Sequence, residues 1–270
     1  MTAPPEREPR LSAADWDSWF TTGHPHVVSD KEAEHFHQLV EPRPGMTAVD
    51  LACGSGQWTR QLAAWGMTVT GYDFSTEALR QATAAGPRDG LTYAQWDIDA
   101  EPIPPDLKPG SLDVVTCRYA LPDLQHARLL TDVGRWLRPD GTFYALVRLR
   151  PSRHDADAGQ SGDAEPDTGF EPFHRGFTKA QVGTLASGWA HRETHQLSRR
   201  RRVIVLRGYG LTTPEPDNAP EKGFQSPGVG GDAPSPESCA PAPGPHGPGH
   251  SAHQDGPESA DRGARACAIG

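Results

Sequence analysis

The stretch Val49–Arg60, VDLACGSGQWTR, constrains the chain more than any other. An apolar run enters a turn in which Gly54 and Gly56 flank one serine, and Trp58, Leu62 and Trp65 then recur at helical spacing. A strand, a glycine turn and a helix in that order bring backbone close to a ligand and aim helix amides at it. The details limit which ligand that is. From Gly54 the residues read G-S-G-Q-W-T, so Thr59 stands where a dinucleotide turn has its third glycine. No Gly-Lys-Ser/Thr follows, so the turn is not a P-loop. Asp50 lies four residues ahead of the first turn glycine, where an acid repels phosphate and favours a cationic group.

The pattern continues as an alternation of strands and helices. Apolar or β-branched runs at 46–52, 67–73, 91–97, 111–120 and 142–149 read as strands, and the intervening stretches 56–66, 75–86 and 123–141 as helices. Ser75 is a candidate N-cap, Gly66 and Gly86 are stops, and Pro139 and Gly141 close the last helix. A short helix at 178–188 precedes two strands, 191–198 and 201–208, with only Arg199 and Arg200 between them. The expected fold is α/β: a Rossmann-like, seven-stranded, mostly parallel sheet with helices on both faces and a C-terminal antiparallel hairpin. Ligands of such sheets bind beyond the carboxyl ends of the strands, which marks Ala52–Gly56, Asp73, Asp97 and Arg118–Tyr119 as candidate site residues.

In order and spacing, VDLACGSG, GYDFS, QWDID, LDVVTCRYALPDL and VGRWLRPDGTFYAL resemble the motifs of class I S-adenosylmethionine-dependent methyltransferases, over roughly residues 30–208. The resemblance implies S-adenosylmethionine as cofactor, a ligand with a sulfonium, an ammonium and a ribose diol but no phosphate. It implies that the Ala52–Gly56 backbone, Gly54 and Gly56 included, lies against the methionine part, and that Asp50 orients that end. Asp73 would accept both ribose hydroxyls, and Phe74 would pack on the adenine. Asp97 would accept the adenine amino group beside the Ile98 amide, and the Arg118 carbonyl would face the ammonium. Ala52 departs from the family, which has glycine there. Alanine fits if its φ is negative.

Methyl transfer from a sulfonium is an in-line displacement in which the protein supplies alignment and a dry cavity. A base is needed only where the nucleophile must lose a proton. Tyr119, His126 and His174 are the candidate catalytic residues, from their places after the fourth strand and in the long loop 151–176. The resemblance implies a methyltransferase acting on a small-molecule acceptor at oxygen, nitrogen or carbon. The alternatives are a cofactor-binding regulatory subunit without catalysis, a nucleic-acid or protein methyltransferase, and a nicotinamide-dependent dehydrogenase. Arg118-Tyr119-Ala120-Leu121 stands where base amino-methyltransferases have Asn/Asp-Pro-Pro-aromatic, and no Pro-Cys pair is present there. The aromatic stretch WDSWF, residues 16–20, either roofs the pocket or packs on the core.

Composition bounds the rest. A net charge of −9 argues against nucleic acid as a partner, and the run Arg199–Arg202 reads as a solvated hairpin tip. Cys53, Cys117, Cys239 and Cys267 show no C-x-x-C spacing, and no metal site is expected. No run approaches the roughly 20 apolar residues of a membrane span, and the N-terminus has no apolar signal core, so the expected location is cytoplasmic. Residues 1–10 and 211–270 are expected to be disordered, the latter being about one third Pro and Gly, with His246, His250 and His253 compositional rather than metal-binding. The domain expected between them runs over 11–210. The oligomeric state is not readable from the sequence.

Overall fold

Strand β1 (Thr47–Leu51) is the hub of the molecule. It pairs in parallel with β2 (Thr68–Asp73) on one side and β4 (Leu112–Arg118) on the other. In the computed structural model, which describes residues 10–23, 27–150, 173 and 175–211, these belong to a seven-stranded sheet. Its order is β3-β2-β1-β4-β5-β7-β6, with β3 at Leu91–Gln95, β5 at Leu137–Arg148, β6 at Trp189–Gln196 and β7 at Arg201–Tyr209. Strand β7 is antiparallel to both β5 and β6, and the remaining pairs are parallel. After β1 the chain builds outward through β2 and β3, then returns to place β4 on β1's other edge. The order reverses there, and a crevice opens beyond the strand ends.

Period-two alternation sorts the side chains into two layers. Val49, Leu51, Val115, Phe143, Ala145, Ile204 and Leu206 pack on one face, with Leu129, Leu130, Val133 and Trp136 of α5 (His126–Trp136). Ala48, Val69, Val114, Tyr144, Leu146, Val203 and Val205 pack on the other. There they meet Phe36 of α2 (Asp30–Val40) and Trp58 and Leu62 of α3 (Gln57–Ala64). The Phe36 ring stands edge-on to Trp58 at 5.0 Å and to Tyr144 at 4.9 Å, which fixes α2 over the sheet.

Local chemistry sets the helix starts. Helix α1 (Ala13–Thr21) opens with a Ser12–Asp15 capping box, and α6 (Lys179–Thr184) with one formed by Thr178 and Gln181. Ser75 caps α4 (Thr76–Ala84), as its sequence context suggests. Helix α3 has no side-chain cap, because its N-cap is Gly56 at φ +79°.

Three expectations need correction. The helix expected over 123–141 is shorter. Leu121–Asp123 forms a 3-10 turn, Leu124 adopts extended backbone, and Leu137 leaves the helix to open β5. Pro139 and Gly141 therefore lie inside a strand end rather than at a helix stop. The β6–β7 link spans Leu197–Arg200, two residues longer than expected, since pairing stops at Gln196 opposite Arg202. Ala52 has φ +53°, not a negative value. Its left-handed backbone costs about 1 kcal/mol and is held where the Cys53 amide donates to the Tyr72 carbonyl at 2.9 Å. Of the expected disordered ends, residues 1–9 and 212–270 lie outside the described residues, while Arg10 and Leu211 are placed. The cysteines of the tail and its histidines also fall outside. Cys53 and Cys117 are free thiols, Cys117 fully buried.

Candidate functional site

Beyond the carboxyl ends of β1, β2 and β4 lies a cavity with about 1010 Å³ of empty space, counted out to bulk solvent. Its lining includes Asp50, Ala52, Gly54, Asp73, Phe74 and Ile98, and also Arg118 and Tyr119. Eight residues singled out on sequence grounds thus meet in one place. Gly56, Asp97 and His126 are not part of the lining, and His174 lies outside the described residues.

Asp50 is 1 % exposed and is held by two hydroxyls. Thr59 donates to it at 2.7 Å from α3, and Thr116 at 2.8 Å from the neighbouring strand β4. Thr59, the residue that breaks the dinucleotide pattern, is therefore the partner of the acid that repels phosphate. Burial pushes the Asp50 carboxyl up to about 6, against the pull of both hydroxyls and of Arg118. Asp73, at the end of β2, is also buried. Its Oδ2 accepts the Gly54 amide at 2.8 Å and its Oδ1 the Ser75 amide at 2.9 Å. Burial raises it as well, to about 6, although the Ser75, Gly54 and Phe74 amides oppose the shift. Two carboxylates ionised at neutral pH, buried beside a glycine turn, make a cradle for a cation or a diol and a poor one for a pyrophosphate.

Tyr119 has φ +62°, rare for an aromatic residue, and its amide donates to the Leu146 carbonyl at 2.6 Å. Burial and Glu32 raise its hydroxyl above the ordinary tyrosine range, outweighing Arg118 and Arg201. At neutral pH it stays protonated and can donate a hydrogen bond, but cannot act as a base. His126 opens α5 with its ring edge-on to Phe177 at 5.2 Å, away from the lining.

Asp97 accepts Arg10 at 2.9 Å on Oδ1, the atom that also receives the Asp99 and Ala100 amides. The Arg10 guanidinium stands 5.0 Å from the centroid of Phe74. An N-terminal residue thus shares both groups expected to meet an adenine.

The WDSWF stretch forms most of α1 and roofs the cavity: Trp16, Trp19 and Phe20 all line it. Phe20 lies so close to Gly54 that a β-carbon there would come within 3.2 Å of its ring. Helix α1 is tied to α4 through Asp17, which accepts the Ser75 and Thr76 hydroxyls at 2.6 and 3.0 Å and the Glu77 amide at 3.0 Å. The Gln81 amide donates to the Phe20 carbonyl at 2.9 Å.

Sequence reasoning missed Arg10, Asp17, Glu32, Thr59 and Thr116. Only Thr116 carried a local signal, being a polar residue inside an apolar strand two positions before Arg118. Among the described residues no group of three or more His, Cys, Asp and Glu could hold a metal, and no helix is long and apolar enough to cross a membrane.

Comparison with known proteins agrees with this geometry. A family model described as "Methyltransferase domain" matches residues 49–145. An uncharacterized methyltransferase of Synechocystis is 41 % identical over 127 residues, 44 % of this chain and 57 % of that protein. A ubiquinone biosynthesis O-methyltransferase of Methylococcus capsulatus is 37 % identical over 101 residues, 37 % of this chain and 42 % of that protein. The chain therefore spans about half the length of the curated relatives it matches. In fold it is similar to phosphoethanolamine N-methyltransferase 2 of Haemonchus contortus, solved with phosphomonomethylethanolamine and S-adenosylhomocysteine. The TM-score is 0.53 at 15 % identity, covering 73 % of this chain and 58 % of that one. The ordered motif series, the acidic cradle at the reversal of strand order and these relatives agree in making residues 49–145 similar to the methyltransferase domain that the family model describes.

Proposed function

We propose that residues 11–210 form an enzyme that transfers the methyl group of S-adenosylmethionine to a small-molecule acceptor. One observation carries this reading. A single cavity joins the acidic cradle at the glycine turn to an aromatic compartment walled by Trp16, Trp19, Phe20 and Tyr119. When bound, the cofactor supplies an activated methyl carbon on a positively charged sulfur.

The chain's own residues bind and align. Asp73 accepts the ribose hydroxyls while its other contacts keep it rigid, and Phe74 and the Ile98 amide take the adenine. The Ala52–Gly56 backbone approaches the methionine part, and the Arg118 carbonyl faces its ammonium. Asp97 contributes with the carboxylate oxygen that Arg10 leaves. Asp50 would supply negative charge to the part of the cavity that takes the sulfonium, and α1 would keep water from the site of the displacement. With the cofactor held by these residues, an acceptor would bond to the methyl carbon as the carbon–sulfur bond broke, the electron pair remaining on sulfur. Tyr119, kept protonated, would donate to the acceptor, and a proton carried by the nucleophilic atom would pass to solvent rather than to Tyr119.

The roof supports a small acceptor, since among the described residues the helix pinned across the cavity narrows the way into it. The relatives named as O-methyltransferases put oxygen first among oxygen, nitrogen and carbon. The test uses S-adenosylmethionine carrying a labelled methyl group with panels of phenols, amines and activated carbon acids. The expected result is label in an acceptor with one S-adenosylhomocysteine formed per methyl. Binding of the cofactor with no transfer to any class would instead favour a non-catalytic subunit.

A further inference from the structure

Glu32 is completely buried, though it lies on α2 rather than on the sheet. It stands four residues before Phe36 and so on the same helix face, and the packing of Phe36 against Trp58 and Tyr144 brings it over the end of β4. There its carboxylate takes Arg118 in a two-point grip, Nε to Oε1 at 2.5 Å and Nη2 to Oε2 at 3.0 Å. The Arg118 side chain is 8 % exposed and that of Glu32 1 %. The guanidinium also lies 5.1 Å from the ring centroid of Trp58 and 5.5 Å from that of Tyr119.

A buried arginine in the wall of a site that must hold a sulfonium is an electrostatic liability. Like charges a few ångströms apart in a poorly screened cavity repel strongly. Buried ion pairs also add little net stability over an apolar pair of the same shape, so stability alone is a weak reason for this one. Its geometry offers another reason. Glu32 cancels the charge of Arg118 and leaves Asp50 and Asp73 to set the sign of the cavity floor. Arg148, 5.5 Å from the Tyr119 ring, and Arg201, at the Tyr119 hydroxyl, bring further positive charge to that end and sharpen the need.

We propose that Glu32 is a specificity-determining positioning residue. By neutralising Arg118, it removes a repulsion that would otherwise weaken the cationic sulfonium of S-adenosylmethionine relative to the neutral thioether of S-adenosylhomocysteine. This inference rests on the cofactor reading given above.

The test measures the dissociation constants of both ligands for the full chain, Glu32→Gln and the double variant Glu32→Gln/Arg118→Met. In Glu32→Gln the uncancelled guanidinium is expected to weaken S-adenosylmethionine by roughly tenfold more than S-adenosylhomocysteine. Restoring charge balance in the double variant is expected to return the ratio to that of the parent chain, whatever happens to the absolute affinities. A purely structural role would weaken both ligands alike and give no return. If Glu32→Gln does not fold, Arg118→Met is measured in its place: the carboxylate of Glu32, no longer cancelled, is expected to shift the ratio toward S-adenosylmethionine, and an unchanged ratio overturns the inference. Failure of the parent chain to bind either ligand would refute the cofactor reading. Equal effects on both ligands, with the parent chain binding both, would refute only the role of Glu32.

Discussion

Replacing Asp73 by alanine is expected to weaken S-adenosylhomocysteine binding by about 100-fold or more while leaving a folded domain. Two charge-assisted hydrogen bonds to a ribose diol, each contributing about 1.5–3 kcal/mol, account for a loss of that size. The stability effect is expected to be smaller because two contributions oppose each other. Burial holds the carboxyl up near 6, so the carboxylate that prevails at neutral pH carries a desolvation cost, which its removal relieves. Against this, the amides of Gly54 and Ser75 lose their acceptor. The net change should stay within about 2 kcal/mol. Calorimetric titration and denaturant unfolding of the same variant measure both. An affinity that does not change would remove Asp73 from the cofactor site.

Gly56→Ala is expected to produce a large loss of stability. Gly56 has φ +79°, and a β-carbon there would overlap the Tyr93 hydroxyl and come within 2.9 Å of the Ala82 β-carbon. Neither neighbour can withdraw easily, since Tyr93 lies on β3 and the Ala82 side chain is fully buried on α4. Left-handed strain of about 1–2 kcal/mol adds to overpacking of about 1–3 kcal/mol, so the total is expected near 3 kcal/mol. Gly110→Ala isolates the strain: φ is +64° and nothing lies within 4 Å of the added carbon, so about 1 kcal/mol is expected. Equal losses in urea for the two variants would contradict the packing at the glycine turn.

The fold was legible because its signals are local and repeat. Parallel strands buried on both faces read as apolar runs, and Ser75 and Gly56 act on backbone within a few residues. Boundaries were less legible where tertiary pairing overrode a local stop. Leu137 joins β5 because Leu112 pairs with it, although Pro139 and Gly141 suggested a helix end. Ala52 was misjudged for a similar reason: the turn it serves is held by Tyr72, a residue on another strand.

In the site, Asp50, Asp73 and Phe74 could be named because each directly follows or sits in a strand whose direction the sequence implies. Glu32 and Asp17 could not. Each reaches the site through a helix whose docking depends on aromatic packing or on an end-cap of another helix, contacts that span 86 and 58 residues of chain. The pocket roof was a choice between two readings that local sequence could not separate, and the docking of α1 on α4 decides it.

A cavity built at the glycine turn for a cationic, phosphate-free nucleoside should take S-adenosylhomocysteine and refuse a dinucleotide. Calorimetric titration of the purified full chain with S-adenosylhomocysteine, and separately with NAD and NADP, tests it most directly. Saturable one-to-one binding of S-adenosylhomocysteine, with neither dinucleotide binding, is the predicted result. Binding of NAD or NADP in the absence of S-adenosylhomocysteine binding would contradict it.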